Sequence, residues 1–312
     1  MDRIATNTAY SNVLNNLMAA ELAQTSAGNQ LASTEKADDL QGYGAESETI
    51  TALQATTSQV TGYLNNSQTV SAKLSTQDSA LNEVSGAAGS AISAITNALA
   101  TSNGDTLMSS LQNAFETAIE GLNTTYNGEY LFSGGQVNTA AVSATNLTDL
   151  TTAPSLSSLF HNDQRQTASQ IDQNTSLNTG FLADAVGTPL FQALQSIQTY
   201  VDTNGAFSGT LTTAQSQFLT STIQNLGTVQ TNLNNVVGQN GLMQSEVTNA
   251  QGDLTSRQTM LQGLLNTDTG ADLAKASSNL QQAQLAIQAA GQVFQALNAS
   301  SLLNLLPVSS TG

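Results

Sequence analysis

The chain has 312 residues, no cysteine, and a formal charge of −16 from 22 acids and 6 bases. The bases (Arg3, Lys36, Lys73, Arg165, Arg257 and Lys275) are spread out, so the sequence offers nucleic acid or an anionic membrane surface no basic patch. Absence of Cys excludes disulfides, thiol catalysis and cysteine metal sites, and no apolar run reaches the ~20 residues of a membrane span.

Residues 3–34 read as a first helix. Tyr10/Val13, Leu17/Ala20, Gln24/Ala27 and Leu31 recur on a heptad beat, with Gln24 a polar break in the seam. Asn7, Asn12, Asn15 and Asn16 lower its intrinsic propensity, so the helix gains from packing. Lys36, Asp38, Asp39, Gly42 and Gly44 predict a loop over 35–46, its carboxylates acting as caps or on solvent. A long helix succeeds it from Glu46 to about Leu99, with Ile50, Leu53, Val60, Leu64, Leu74, Leu81, Val84, Ile95 and Leu99 on its apolar face. Ser102-Asn103-Gly104-Asp105 is a turn, and Asp105 is placed to cap a third helix over about 106–124.

The character then changes. Tyr126 to Gly135 reads as a turn, a short apolar strand and a glycine pair, and the Thr/Ser/Asn/Ala-rich stretch after it predicts a small domain with β elements and long loops. Helix returns near Pro189, with Leu190, Leu194 and Ile197 on one face, and Asp202 to Gly209 is a loop. A second long beat runs Leu219, Leu226, Leu233, Asn240, Val247, Leu254, Leu261, with Val229, Val236, Met243, Ala250 and Leu264 as companions. Asn240, beside Gly238 and Gly241, sets register or marks a bend; Arg257 interrupts the face. Asn266 to Gly270 breaks this helix, and Asp268 or Thr269 is placed to cap the terminal helix.

The last helix keeps Leu273/Ala276, Leu280/Ala283, Ile287/Ala290 and Phe294/Leu297 on one seam. Its alanines let a partner helix come close, and Gln281, Gln282, Gln284, Gln288 and Gln295 carry much of its surface. The run Ser301-Leu302-Leu303-Asn304-Leu305-Leu306 before Pro307 puts four leucines where they need a partner. Heptads at both chain ends predict that the termini pair.

The remaining chemistry is sparse. His161 is the one histidine and lacks a second His or a Cys, so it reads as a loop residue. Asp202-Thr203-Asn204-Gly205 resembles the start of a calcium loop, but Thr213 stands where the bidentate Glu belongs. Gly134-Gly135 lacks the Lys of a phosphate loop and reads as a tight boundary. Phe160, Phe181 and Phe191 are scattered along the middle rather than spaced as a sugar-stacking platform. No catalytic residue, cofactor or metal is expected.

The ends resemble the bacterial flagellin and hook-associated (hook–filament junction) family. The resemblance rests on Arg3-Ile4-Ala5-Thr6-Asn7 with Tyr10, Gln30-Leu31-Ala32-Ser33, Leu64-Asn65-Asn66, Asp78 to Val84 and Gly128 to Gly134. Toward the C-terminus it rests on Asp268, Asp272-Leu273-Ala274, Leu280, Gln284, Ile287-Gln288-Ala289 and Ser301-Leu302-Leu303. The matches span about 1–135 and 215–306. Arg3-Ile4-Ala5-Thr6, Tyr130 to Gly134 and the small middle resemble junction members more; the Leu302 to Leu306 ending resembles flagellin more. Thr34-Glu35-Lys36 and Leu40 depart from the family, which usually has Gly and a basic residue at the first place and a small residue or proline at the second. The basic stretch linked to innate-receptor recognition in some flagellins has no counterpart around 80–95.

The resemblance implies a mainly α fold: an elongated antiparallel coiled coil or helical bundle of N- and C-terminal segments, with a small β-containing middle domain. It implies a terminal assembly domain over 1–45 and 266–312, a helical rod over 46–135 and 211–265, and a variable middle over 136–210. The expected assembly residues are Tyr10, Leu14, Leu17, Leu31, Leu273, Leu280, Ile287, Ala290, Phe294, Leu297, Leu302 and Leu303. The implied role is a structural flagellar subunit joining hook to filament, the alternatives being a filament flagellin or a flagellin-like surface adhesin or polysaccharide binder. Implied partners are further copies in a ring or helical filament, hook-associated protein 1, flagellin, and an export chaperone for the C-terminal helix. Met1-Asp2-Arg3-Ile4 lacks the basic and hydrophobic regions of a cleaved secretory signal, consistent with the flagellar type III export route to the extracellular flagellum that the family implies.

Overall fold

The computed structural model describes residues 2–299, with side chains from residue 8 onward. The Ser301 to Pro307 run, with Leu302 and Leu303, lies outside the described residues, as do the side chains of the Arg3 to Asn7 motif. Helices dominate: α1 (Asp2–Ser33), α2 (Ser47–Thr101), α3 (Leu107–Leu122), α4 (Asp149–Thr152), α5 (Ala183–Asn204), α6 (Thr213–Thr269) and α7 (Leu273–Ala299). Two short antiparallel hairpins complete it: β1 (Thr125–Tyr126) with β2 (Glu129–Tyr130), and β3 (Ala168–Gln170) with β4 (Ser176–Asn178). The protein is mainly α with a small β component, as its helical periodicity predicts.

The chain divides into two compact units, one of residues 1–59 with 258–312 and the other of residues 60–257. In the second unit, α2 and α6 lie antiparallel, their register shown by side-chain bonds from Ser85 to Asn234 (2.7 Å) and from Gln77 to Asn240 (3.3 Å). The predicted α6 beat is the buried face: Leu219, Leu226, Leu233, Asn240, Val247 and Leu254 are all buried. The heptad alanines of α2 matter as much as its leucines. Ala80, Ala87, Ala88, Ala91 and Ala98 are buried, and α3 and α5 complete the cluster with Leu111, Phe115, Leu122, Leu190, Phe191 and Ile197. Each large apolar side chain buried this way contributes about 1.5–3 kcal/mol relative to exposure.

Close approach is enforced at Gly121. A Cβ there would lie 2.9 Å from the Ala80 carbonyl oxygen and 2.9 Å from Val84 Cγ2, so α3 meets α2 through a glycine. Asn127 (φ 53°) and Gly128 (φ 84°) both take left-handed backbone, which makes the β1–β2 connection the two-residue turn that matches strand twist. The strand is shorter than the apolar run predicts. Leu131 and Phe132 leave it and bury their side chains in the main cluster, since β1 offers only Thr125 and Tyr126 as pairing partners.

Several boundaries differ from expectation for local reasons. Asp105 does not cap α3; its carboxylate accepts the Gly209 amide (2.6 Å) and Asn103 Nδ2 (3.1 Å), tying the α2–α3 turn to the α5–α6 loop. Those bonds hold its pKa below the ordinary carboxylate value. Helix α5 begins at Ala183, ahead of Pro189, and runs to Asn204, where Gly205 (φ 89°) ends it. Asp202 to Asn204 are thus its last turn, and the loop expected from Asp202 begins only at Gly205. Phe160 and Phe191 stack at 5.2 Å and Phe115 meets Phe191 at 4.9 Å; far from being scattered, these rings form core. At the glycine pair, Gly134 sits at φ 67° and the Gly135 amide donates to Asp163 Oδ1 (2.7 Å), in a space that a Cβ would fill.

Gly121→Ala is expected to lower stability by about 1–3 kcal/mol through overpacking against fixed backbone. Gly227→Ala in α6, where a Cβ meets nothing within 4 Å, is expected to raise it by about 0.5–1 kcal/mol. Urea unfolding monitored by circular dichroism checks both signs.

Candidate assembly surface

Helices α1 and α7 pair antiparallel. Tyr10 and Phe294 meet edge to face with ring centroids 5.6 Å apart, and at the other end Glu35 bridges to Gly270. The heptad residues of the two sequences therefore face each other. The closest packing is made by alanine: Ala20 and Ala27 of α1 and Ala276 and Ala283 of α7 are buried, while Leu17, Leu31, Leu280, Ile287, Ala290 and Leu297 are half-buried around them. Small residues at these places let two backbones approach, and the larger ones close over the sides.

Among the expected residues, Tyr10, Leu17, Leu31, Leu280, Ile287, Ala290, Phe294 and Leu297 come together on this seam or its margin. Leu14 (53% exposed) instead points outward with Met18 and Leu22, and Leu273 (46% exposed) stands outside the pair at the start of α7. A shallow apolar trough also runs along one side of the pair, floored by Ala20, Ala23, Ala27, Ala283, Ala286 and Ala290. The pair is nearly free of charge. Glu21 is the one ionisable residue from Ile4 to Thr34 apart from Tyr10, and Lys275 the one from Leu273 to the end of the chain. In a chain of charge −16, this pair carries the least charge with which to repel a neighbour.

The base of the pair is fixed by backbone. The Lys36 amide donates to Thr269 O (2.7 Å) and the Ala271 amide to Thr34 O (2.8 Å). Lys36 Nζ reaches Asp268 O (2.8 Å), at the negative end of the α6 dipole, and pairs with Glu46 at 3.4 Å. Asp38 accepts from Asn29 Nδ2 and Asp39 caps the 3-10 turn at Leu40–Glu46 through the Gly42 amide. Helix α6 runs through Thr269, so Asp268 and Thr269 end it rather than cap α7. The cap is Asp272, whose Oδ1 takes the Ala274 and Lys275 amides at 3.0 Å each.

Thr34 ends α1 in the left-handed region (φ 63°), its amide donating to Gln30 O at 3.0 Å. That is the position where helices usually place glycine, and a β-branched residue is strained there.

His161 is exposed and its amide bonds Ala141 O (2.9 Å); it is part of a loop. Among the described residues no group of three or more His, Asp or Glu is placed to hold a metal, and no helix is long and apolar enough to cross a membrane. Sequence reasoning passed over Lys73. It sits against Thr167 Oγ1 (3.4 Å) in the second unit, and burial pulls its pKa below the ordinary lysine value while Glu129 pushes the other way.

The description of the bacterial flagellin N-terminal helical region matches residues 4–139. Over this region, somewhat less than half of the chain, the protein is similar to the flagellins. The fold is similar to a solved structure described as a flagellar hook-associated protein from Vibrio parahaemolyticus. The TM-score is 0.59 at 14% identity, over 74% of this chain and 98% of that one. It is also similar to Bacillus cereus FlgL, with a TM-score of 0.52 at 13% identity over 70% of this chain and 98% of the other. No curated protein sequence matches the chain. At such identities the structures establish a shared fold.

Thr34→Gly is expected to stabilise the first unit by about 1–2 kcal/mol, the cost of left-handed backbone at a non-glycine residue. A rise in thermal midpoint with unchanged helicity is the expected readout; a fall would show that the Thr34 side chain supplies something the backbone strain does not outweigh.

Proposed function

We propose that this protein is a structural subunit of the bacterial flagellum that connects hook to filament. The observation that carries the proposal is the nearly uncharged α1–α7 pair joined to a flagellin N-terminal helical region. The similarity to hook-associated folds supports placing it at the junction rather than along the filament. Its role is assembly, not catalysis. The terminal helices dock against neighbours, the long helices of 46–135 and 211–265 act as a rod, and 136–210 forms a small variable middle domain. Tyr10, Leu14, Leu17, Leu31, Leu273, Leu280, Ile287, Ala290, Phe294 and Leu297, with Leu302 and Leu303 beyond the described residues, supply the contacts. Further copies, hook-associated protein 1 and flagellin are its neighbours in the extracellular axial structure. It travels there through the flagellar type III export apparatus, its C-terminal helix held by an export chaperone.

The mechanism is burial. In the isolated subunit, Leu14, Met18 and Leu22 of α1 and Leu285 of α7 remain in water. Covering them in the assembled structure stabilises by roughly 25 cal/mol for each Å² of apolar surface removed from solvent.

Gold-labelled protein added to detached flagella tests the position. The proposal expects label at the hook end; label along the filament or on the cell body would overturn the junction reading in favour of a flagellin or an adhesin. Ile287→Asp tests the surface. A charge left unpaired in that contact costs about 3–5 kcal/mol, by analogy with broken buried pairs. The variant is expected to stay soluble and helical and to lose hook binding, while Gln288→Ala with Gln295→Ala, both exposed positions, keeps it.

A further inference from the structure

The apolar packing of the second unit falls into two separate clusters. The large one begins on α2 at Ala80 and on α6 extends to Leu233. The small one joins Val70 and Leu74 of α2, Val247 of α6, and Ile171 and Leu177 of the β3–β4 hairpin. The hairpin is clipped on: Ser67 Oγ donates to Ile171 O (2.9 Å), Asn66 Nδ2 donates to Gln170 O, and Arg257 pairs with Asp172 at 3.7 Å.

Between the clusters the seam turns polar. Gln77 and Asn240 take heptad positions and both are completely buried. Asn240 Nδ2 donates to Leu74 O (3.0 Å) and Asp78 Oδ1 (3.2 Å), and its Oδ1 accepts Gln77 Nε2 (3.3 Å). Gln77 Oε1 is equally buried and accepts no hydrogen bond from the described residues. A buried acceptor left so costs stability at this layer. On α6, Gly238 and Gly241 flank the layer, and neither has an atom within 4 Å of where its Cβ would be. Glycine inside a helix weakens it, and here nothing packs against the gap.

We infer that the Gln77–Asn240 layer is a joint: the hairpin-clipped end of the second unit opens as its own cooperative element while the large cluster stays closed. The apolar contacts on either side are strong, the polar layer transmits little between them, and the glycines let α6 bend there. Cooperative units of differing stability within one native domain are the general rule, and this layer marks the boundary between two. The inference is independent of the assembly role.

Native-state hydrogen exchange by mass spectrometry on the full chain, at low denaturant, tests it. Peptides covering residues 66–74, 170–177 and 243–250 are expected to exchange together, and at least about tenfold faster than peptides covering 84–95 and 219–233. In Gln77→Leu with Asn240→Leu, which removes both polar partners at once, that gap is expected to shrink by about tenfold. Gly238→Ala with Gly241→Ala stiffens α6 without touching the polar layer and is expected to shrink it less. A single common exchange rate in the parent would overturn the joint. So would a gap that neither variant changes, which would place the boundary elsewhere.

Discussion

Alanine-on-alanine packing between α1 and α7 is the constraint on which the first unit depends. Ala20, Ala27, Ala276 and Ala283 are its buried residues, and each carries one methyl group. Neither helix brings a wide apolar stripe, and α1 carries several asparagines. Their helicity therefore comes from each other more than from propensity. The two sequences lie at opposite ends of the chain, so the contact is as non-local as the chain permits. What fixes it at the base is also shared: the Thr34–Ala271 and Lys36–Thr269 backbone bonds pair the residues just after α1 with those just before α7.

The same region bears on the self-association proposed for this acidic protein. The acids lie largely outside the two terminal helices, which carry Glu21 and Lys275 as their only charges from Ile4 to Thr34 and from Leu273 onward. Glutamine and asparagine occupy positions where a coiled coil often carries charges. That removes pairwise specificity of the charged kind and leaves shape and apolar area to select partners. The alanine trough and the exposed Leu14, Met18 and Leu22, which do not line it, are the apolar surfaces on which such selection would act.

Much of this was legible because heptad spacing is a direct statement of which residues face inward. Leu219 to Leu261 and Tyr10 to Leu31 fall on buried or half-buried faces as their spacing says. Leu264, read as part of the α6 face, is 46% exposed. Boundaries were less legible, since a capping side chain is chosen by loop geometry. Asp272 caps α7 while Asp268 ends α6, and Asp105 serves a loop 104 residues away. Phe160 and Phe191 could not be joined on paper because their contact needs the fold of the middle segment. The orphaned acceptor of Gln77 was invisible for the same reason: Asn240 announces a polar core position, but its partner across the seam has to be seen.

The central claim is that α1 and α7 hold each other in place. Amide hydrogen exchange on Ala283→Asp, a charge placed under α1, tests it most directly. If the account is right, amides from Tyr10 to Leu31 lose protection together with those of α7, while those around Leu81 and Leu226 keep theirs. Unchanged protection along α1 would contradict it.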